Sequence, residues 1–311
     1  QRFGLGAGQT ILDPFCGTGT TVVEAKRRGL TAIGVEANAL AHFASSVKTD
    51  WSIDPDELLA SARGIAAATL QDSEYHQPSK LRTLPAEAKS LLLKESISPL
   101  PLHKALLLRN RIDAAPTAPG YNHLRLALAR TLVHDVSNLH FGPQVGVRRA
   151  KLTDAPVVEC WLAAVQRMAA DLSTVDREAP PTLVHHADAR RLAELLPPRS
   201  IDAVFTSPPY PNEKDYTRTT RLEAVILGFL RNKADLRAVK QGLLRSNTRN
   251  VYKHDDDDLW IADNVEIATL AAEIERRRVE LGKTSGFERL YGRVTRLYFG
   301  GMARHLAELR P

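Results

Sequence analysis

Thr10-Ile11-Leu12-Asp13-Pro14-Phe15-Cys16-Gly17-Thr18-Gly19-Thr20-Thr21 is the stretch on which the reading of this chain turns. Its first half is a short apolar run ending in Asp13-Pro14, the pattern of a buried strand, and it stops at a Gly-x-Gly turn. Gly17 and Gly19 carry no Cβ, so backbone there can approach a ligand closely. Thr21 to Arg28 follows with helical spacing and closes on Gly29, a residue type common just past a helix end. Thr31-Ala32-Ile33-Gly34-Val35 then reads as a second buried strand, ending at Glu36. Strand, helix and strand with short connections imply a parallel pair with a right-handed crossover, hence an α/β fold.

Outward from this unit the regularity changes. Residues 54–180 show mostly helical periodicity broken by Pro and Gly. Asp54-Pro55 looks like an N-cap followed by Pro at the first helical position, and Asp154-Ala155-Pro156 resembles a second such start. Beyond it Val157, Val158, Trp161, Leu162, Val165, Met168 and Leu172 recur at helical spacing, while 112–122 and 138–147 read as loops. Strand signals return at Thr182-Leu183-Val184-His185-His186 and at Ile201-Asp202-Ala203-Val204-Phe205, the latter running into Thr206-Ser207-Pro208-Pro209-Tyr210. After that only helices are expected, near 219–231, 234–245, 262–282 and 286–309. The run Asp255 to Asp258 reads as a solvated loop, because successive carboxylates lack the alternating spacing that wraps a cation. No metal site is expected.

The 311 residues are 43% hydrophobic and 25% charged, which excludes a disordered tail and a collagen-like repeat. Two cysteines, Cys16 and Cys160, exclude a disulfide scaffold and suit a reduced cytoplasmic chain. No apolar run approaches the roughly 18 residues of a membrane span, so no membrane partner is expected. Net charge is +6, and it is concentrated. Residues 80–151 hold twelve Lys/Arg against four acids, and 213–253 hold ten against four. Such segments are either solvated helix faces or contacts for a polyanion.

Two elements carry chemistry. The first is the Gly-x-Gly turn, which lacks the third glycine of a dinucleotide fingerprint, Val22 standing there, and lacks the Gly-Lys-Ser/Thr of a P-loop. Glu36, at the end of the next strand, is placed to accept from ribose hydroxyls. The second is Ser207-Pro208-Pro209-Tyr210. Two prolines fix φ and withhold two N–H donors, leaving rigid carbonyls beside a hydroxyl and an aromatic ring. An acceptor-only platform of this kind suits a planar group bearing an amine, with Tyr210 stacking on the ring.

Together the two elements resemble the S-adenosylmethionine-dependent amino-methyltransferases that act on DNA bases. Their cofactor motif looks like Asp-Pro-Phe-x-Gly-Ser/Thr-Gly-Thr-Thr and their catalytic motif is Asp/Asn/Ser-Pro-Pro-Tyr/Phe. The likeness extends through Glu36 and Asn38, Asp188, and the stretch Tyr210 to Arg221. It implies a Rossmann-like class I methyltransferase sheet in 1–50 and 181–311, interrupted by a helical insertion, 51–180, that is the candidate target-recognition region. Asp13, Phe15, Gly17, Thr18 and Gly19 would cradle the methionine end of S-adenosylmethionine, Glu36 the ribose, and Asp188 the adenine amine. Ser207, Pro208, Pro209 and Tyr210 would hold the target base, and Arg218 and Arg221 would contact phosphates. Ser207 leans towards cytosine N4 over adenine N6. Carbon-5 chemistry is disfavoured, since neither Phe15-Cys16 nor Glu159-Cys160 supplies the Pro-Cys nucleophile it needs.

The family's sheet is larger than the four strands found here, so the expectation is an incomplete sheet, either truncated or completed by another chain. A restriction endonuclease partner and a nucleoid-associated cytoplasmic location go with the same resemblance. The runner-up is an RNA amino-methyltransferase of the tRNA guanine-N2 kind, and a non-catalytic DNA-binding subunit with the same fold is the alternative from another class.

Overall fold

A computed structural model describes residues 4–142, 144–211 and 214–310. Asn212 and Glu213, within the Tyr210–Arg221 likeness, and Pro143, within the expected 138–147 loop, lie outside the described residues. In chain order the elements are β1 (Thr10–Asp13), α1 (Thr20–Arg27), β2 (Thr31–Glu36), α2 (Ala39–Thr49), α3 (Pro55–Leu70), α4 (Ser73–His76), α5 (Ala86–Leu91), α6 (Pro99–Asp113), α7 (Tyr121–His134), β3 (Leu139–Phe141), β4 (Val145–Val147), α8 (Val157–Leu172), β5 (Thr182–His186), β6 (Ala203–Val204), α9 (Tyr216–Thr219), α10 (Arg221–Ile226), α11 (Lys233–Gly242), α12 (Val265–Glu280) and α13 (Tyr291–Glu308). Short 3-10 turns occupy Ala189–Glu194, Thr248–Asn250, Asp257–Ile261 and Glu288–Leu290. The chain divides into two compact units, one of residues 1–45, 180–217 and 237–311, the other of 46–179 and 218–236. Sequence alone leaves 218–236 with the sheet, whereas these residues pack with the helical segment.

The first unit is an α/β sheet in the order β5-β2-β1-β6, every neighbouring pair parallel. All four strands foreseen from the apolar runs are present. A parallel sheet needs cover on both faces. On one face Ile11, Val22, Ala25, Leu30 and Ala32 form a core cluster with Cys16. On the other Leu12, Val35 and Leu192 pack with Ile33, Ala187, Ile201 and Leu309. Gly34 is required in β2, since a Cβ there would lie 2.8 Å from the Cys16 sulfur. Cys16 is thus a packing residue behind the turn, and burial pushes its thiol pKa up to about 12.

The second unit is helical. Asp54 caps α3 as the sequence suggests, its carboxylate accepting from the Asp56 and Glu57 amides at 2.9 and 3.2 Å. Along α8, Val157, Val158, Trp161, Ala164, Val165, Ala169 and Leu172 are buried. The Trp161 indole donates to the Leu124 carbonyl at 2.9 Å, so its one polar atom is satisfied in the core.

Three expectations need correction here. Asp154 caps nothing: α8 begins without a side-chain cap, and Asp154 accepts from the buried Lys104 ammonium at 2.6 Å. The expected loop 138–147 contains a small antiparallel hairpin, Leu139 pairing with Val147 and Phe141 with Val145. The single helix expected over 219–231 is broken into α9 and α10. It ends where Gly228 turns to φ +84° and where Arg109 and Arg125 donate to the carbonyls of Ile226 and Leu227 at 3.1 and 2.7 Å. Two guanidinium groups therefore satisfy orphan carbonyls at the C-terminus of α10.

Gly64 offers a test of the helical unit. It is exposed within α3, and a Cβ there would meet nothing within 4 Å. Gly64→Ala is expected to raise the unfolding free energy by about 0.5–1 kcal/mol, the difference in helix propensity. Urea unfolding of the two proteins side by side measures it.

Candidate functional site

Chain order along the sheet runs outward from β1 through β2 to β5, then returns to place β6 on the other side of β1. The order reverses at β1, and in open α/β sheets ligands bind outside the carboxyl ends of the strands at such a reversal, here those of β1 and β6. The residues that the sequence singled out gather along that rim. Asp13 ends β1, Glu36 ends β2, Asp188 lies two residues past β5, and Ser207 to Tyr210 follow β6.

Asp13 is 3% exposed and joins two of these segments. Its Oδ1 accepts from the Phe15 amide at 3.1 Å and from the Thr206 hydroxyl at 2.7 Å. The turn after β1 is therefore tied to the loop that begins the Ser-Pro-Pro-Tyr stretch. Within the turn Gly17 and Gly19 have φ of +56° and +92°, and the Gly19 amide donates to the Cys16 carbonyl at 2.9 Å. A Cβ on Gly19 would lie 2.8 Å from the Ser45 Cβ, so no larger residue fits without movement. A Cβ on Gly17 would meet nothing within 4 Å, which leaves open space above the backbone there. Thr18 is exposed beside it.

Glu36 braces the turn from β2. One carboxylate oxygen accepts from the Gly17 amide at 2.9 Å and the other from the Asn38 amide at 2.7 Å. Burial raises its pKa, the two amides oppose that, and the nearby Asp13 adds to it. Each oxygen keeps a second lone pair for a ligand donor.

Asp188 is held differently. It caps the Ala189–Glu194 turn, accepting from the Arg190 amide at 2.9 Å, and takes the Arg190 guanidinium as a fork through Nε and Nη2 at 2.9 and 2.6 Å. Arg190 also donates from Nη1 to Asp257. Burial alone would lower the Arg190 pKa, but its bonds to Asp188 and the charges of both carboxylates more than offset that and hold it above the ordinary value.

Ser207 and Tyr210 are exposed, and Pro208 and Pro209 are half-buried in irregular backbone. Phe205, just before them, is 63% exposed. On α13 the Tyr298 phenol is raised by burial, with Tyr216 and Tyr210 near enough to add to the shift. Arg218 and Arg221 belong to the helical unit and are both half-buried. Arg221 donates to the Leu91 carbonyl at 3.4 Å, and the Arg218 Nε is buried without a hydrogen-bond partner.

Several functional-looking features escaped the sequence reading. Far from being a solvated loop, the Asp255–Asp258 run carries two buried ion pairs: Asp257 with Arg190, and Asp255 with Arg245 at 2.8 Å. Part of the basic excess is likewise consumed internally, by Lys240 on Asp215 at 3.0 Å and Lys104 on Asp154 at 2.6 Å. His305 is 1% exposed; its Nδ1–H donates to the Ala189 carbonyl at 2.8 Å and its ring meets Phe15 edge-on at 4.9 Å. Gly300 and Gly301, paired in the middle of α13, were the one sequence signal of a close approach at this place. Among the described residues no cluster of metal ligands is present and no helix is long and apolar enough to cross a membrane.

A family model described as DNA methylase matches residues 5–44, the stretch that runs from before β1 into α2. Among curated proteins, the type II methyltransferase M.BsoBI of Geobacillus stearothermophilus is 27% identical over 81% of this chain and 53% of its own length. The type II methyltransferase M.MvaI of Kocuria varians is 26% identical over 69% of this chain and 50% of its own length. The chain thus spans about half the length of these curated relatives. No solved structure matches it significantly. In its sheet and in these stretches of sequence the chain is similar to the DNA amino-methyltransferases.

Proposed function

We propose that this chain binds S-adenosylmethionine and transfers its methyl group to the exocyclic amine of a DNA base, with cytosine N4 favoured over adenine N6. The observation that carries the reading is the Asp13 bridge, which joins the Gly-x-Gly turn to the Thr206-Ser207-Pro208-Pro209-Tyr210 loop at the reversal point of the sheet. A reaction between a cofactor on one segment and a base on the other needs such a coupling, because transfer depends on alignment.

The residues fit the cofactor by the chemistry of their donor set. Asp13, Glu36 and Asp188 present acceptors along three neighbouring strand ends, and the space above Gly17 is open. An amino group, ribose hydroxyls, an adenine amine and a sulfonium are all donors or cations, the complement of three carboxylates. Asp13, Phe15, Gly17, Thr18 and Gly19 would hold the methionine end, Glu36 the ribose and Asp188 the adenine. When bound, the cofactor supplies a methyl already activated by its sulfonium. Ser207 and the Pro208 carbonyl would accept from the target amine and draw its lone pair forward, while Tyr210 stacks on the ring. A base within a duplex must first be flipped out, at a cost of about a few kcal/mol. The helical segment 51–180 would recognise the target. Arg218 and Arg221, which fall in the same unit, would contact phosphates, and a separate restriction endonuclease would be the companion activity.

Nucleoside mass spectrometry on DNA and RNA from cells expressing the chain tests this, beside Ser207→Ala and Tyr210→Ala. N4-methylcytosine or N6-methyladenine in DNA is expected, and Tyr210→Ala should lower its yield about 10- to 100-fold, the worth of one stacked base. Methylated guanine confined to RNA, or DNA marks that both variants leave intact, would overturn the reading.

A further inference from the structure

Asp257, Arg190 and Asp188 form a chain of charges that ends at the cofactor rim. Arg190 and Asp257 are nearly sealed, their side chains 8% and 4% exposed, while Asp188 keeps 22%. The guanidinium has no freedom left: Nε and Nη2 grip Asp188, Nη1 grips Asp257, and Nη2 also reaches the Gln241 carbonyl at 3.4 Å. Asp257 is itself seated by α13. A Cβ on Gly300 would fall 2.0 Å from the Asp257 carbonyl oxygen, and one on Gly301 would fall 3.2 Å from its Oδ2. Arg304 stands 3.6 Å from the other Asp257 oxygen, which has no hydrogen bond, so the buried carboxylate is charge-balanced from both sides. His305 on the same helix fixes Ala189, the residue next to Asp188.

A structural staple needs no exposed end, yet this one has one, at the strand end next to Glu36. An Arg fork sets both the rotation and the charge of a carboxylate. Oδ1 of Asp188 is taken by the Arg190 amide and Nε, so Oδ2 is the oxygen with capacity left for a ligand donor. Resting on the cofactor reading above, we propose that Arg190 and Asp257 are positioning residues that fix the Asp188 carboxylate as the acceptor for the adenine amine of the cofactor. The pair then acts on selectivity, because a site built to accept from an amine rejects an analogue that carries a carbonyl there.

The experiment is calorimetric binding of S-adenosylhomocysteine and of S-inosylhomocysteine, in which a carbonyl replaces the amine, to the full chain. The parent is expected to favour the adenosine form by about tenfold, the scale of one charge-assisted hydrogen bond. Asp257→Asn and Arg190→Lys should cut that preference to about threefold or less, chiefly by weakening the adenosine form. Glu36→Gln should weaken both ligands alike, because both keep the ribose. A parent that binds with the expected preference, together with variants that lose affinity for both ligands in equal proportion, would mean a structural pair and overturn the positioning role alone. A parent that binds neither ligand would overturn the cofactor reading and this inference with it. Arg190→Lys keeps the buried charge balanced, so it serves where Asp257→Asn fails to fold.

Discussion

Gly300→Ala is expected to destabilise the sheet unit by about 3 kcal/mol or more, the upper end for overpacking a closed interior. Its sign is the informative part. In an open helix the same exchange stabilises by up to about 1 kcal/mol, as expected for Gly64. At Gly300 the added methyl would meet the Asp257 carbonyl oxygen at 2.0 Å, the carbonyl carbon at 2.5 Å and the Asp258 nitrogen at 2.9 Å. These are backbone atoms and cannot swing away as a side chain can. Asp257 cannot be carried off cheaply either, because Arg190 would lose a buried partner, a loss that costs about 3–5 kcal/mol when a buried pair is broken from one side. Urea unfolding read by circular dichroism gives the change. Trp260, in the same 3-10 turn as Asp257, gives a local fluorescence signal. Equal unfolding midpoints for the parent and Gly300→Ala would refute the close approach of α13 to this turn.

The same pair of residues shows where sequence stops being informative. Strands at 10–13, 31–36, 182–186 and 203–204 could be read because each is an apolar run punctuated by Gly, Pro or an acid, a purely local signal. The rim residues at their ends could be read for the same reason. The Asp255–Asp258 run looks solvated from its local composition, while its deciding partners are remote: Arg190 lies 67 positions from Asp257. Helix α10 ends early because its carbonyls are met by Arg109 and Arg125, 117 and 102 positions away. Asp154 abandons its capping pattern for Lys104, 50 positions away. The hairpin is not legible in the sequence because strands of three residues carry too short an alternation to register. In each case a charge or a turn that looked exposed acquired a partner that only the folded chain supplies. His305 belongs with these, since nothing local to it points to Phe15 or Ala189.

Glu223→Gln is expected to stabilise the helical unit by several kcal/mol at pH 8.5 and to do little near pH 4. Glu223 sits on α10, 7% exposed, with an Oε2 that has no hydrogen-bond partner. Burial pushes its pKa from 4.5 up to about 8. A carboxyl whose pKa is raised by folding holds its proton more tightly in the folded chain. Its contribution is therefore complete below the unfolded value, falls as pH rises from about 4.5 to about 8, and stays at its lowest beyond that. At about 1.4 kcal/mol for each tenfold change in proton affinity, the span amounts to a few kcal/mol. Glutamine has nearly the shape of the protonated acid and does not ionise, so the variant should lack that slope. Urea unfolding of both proteins at pH 5, 7 and 8.5 separates the outcomes. Parallel profiles would mean that Glu223 ionises freely and finds a partner. Profiles that converge at acid pH and diverge at alkaline pH would mean that the unit carries a buried carboxyl at a standing cost, a residue kept for some reason other than stability.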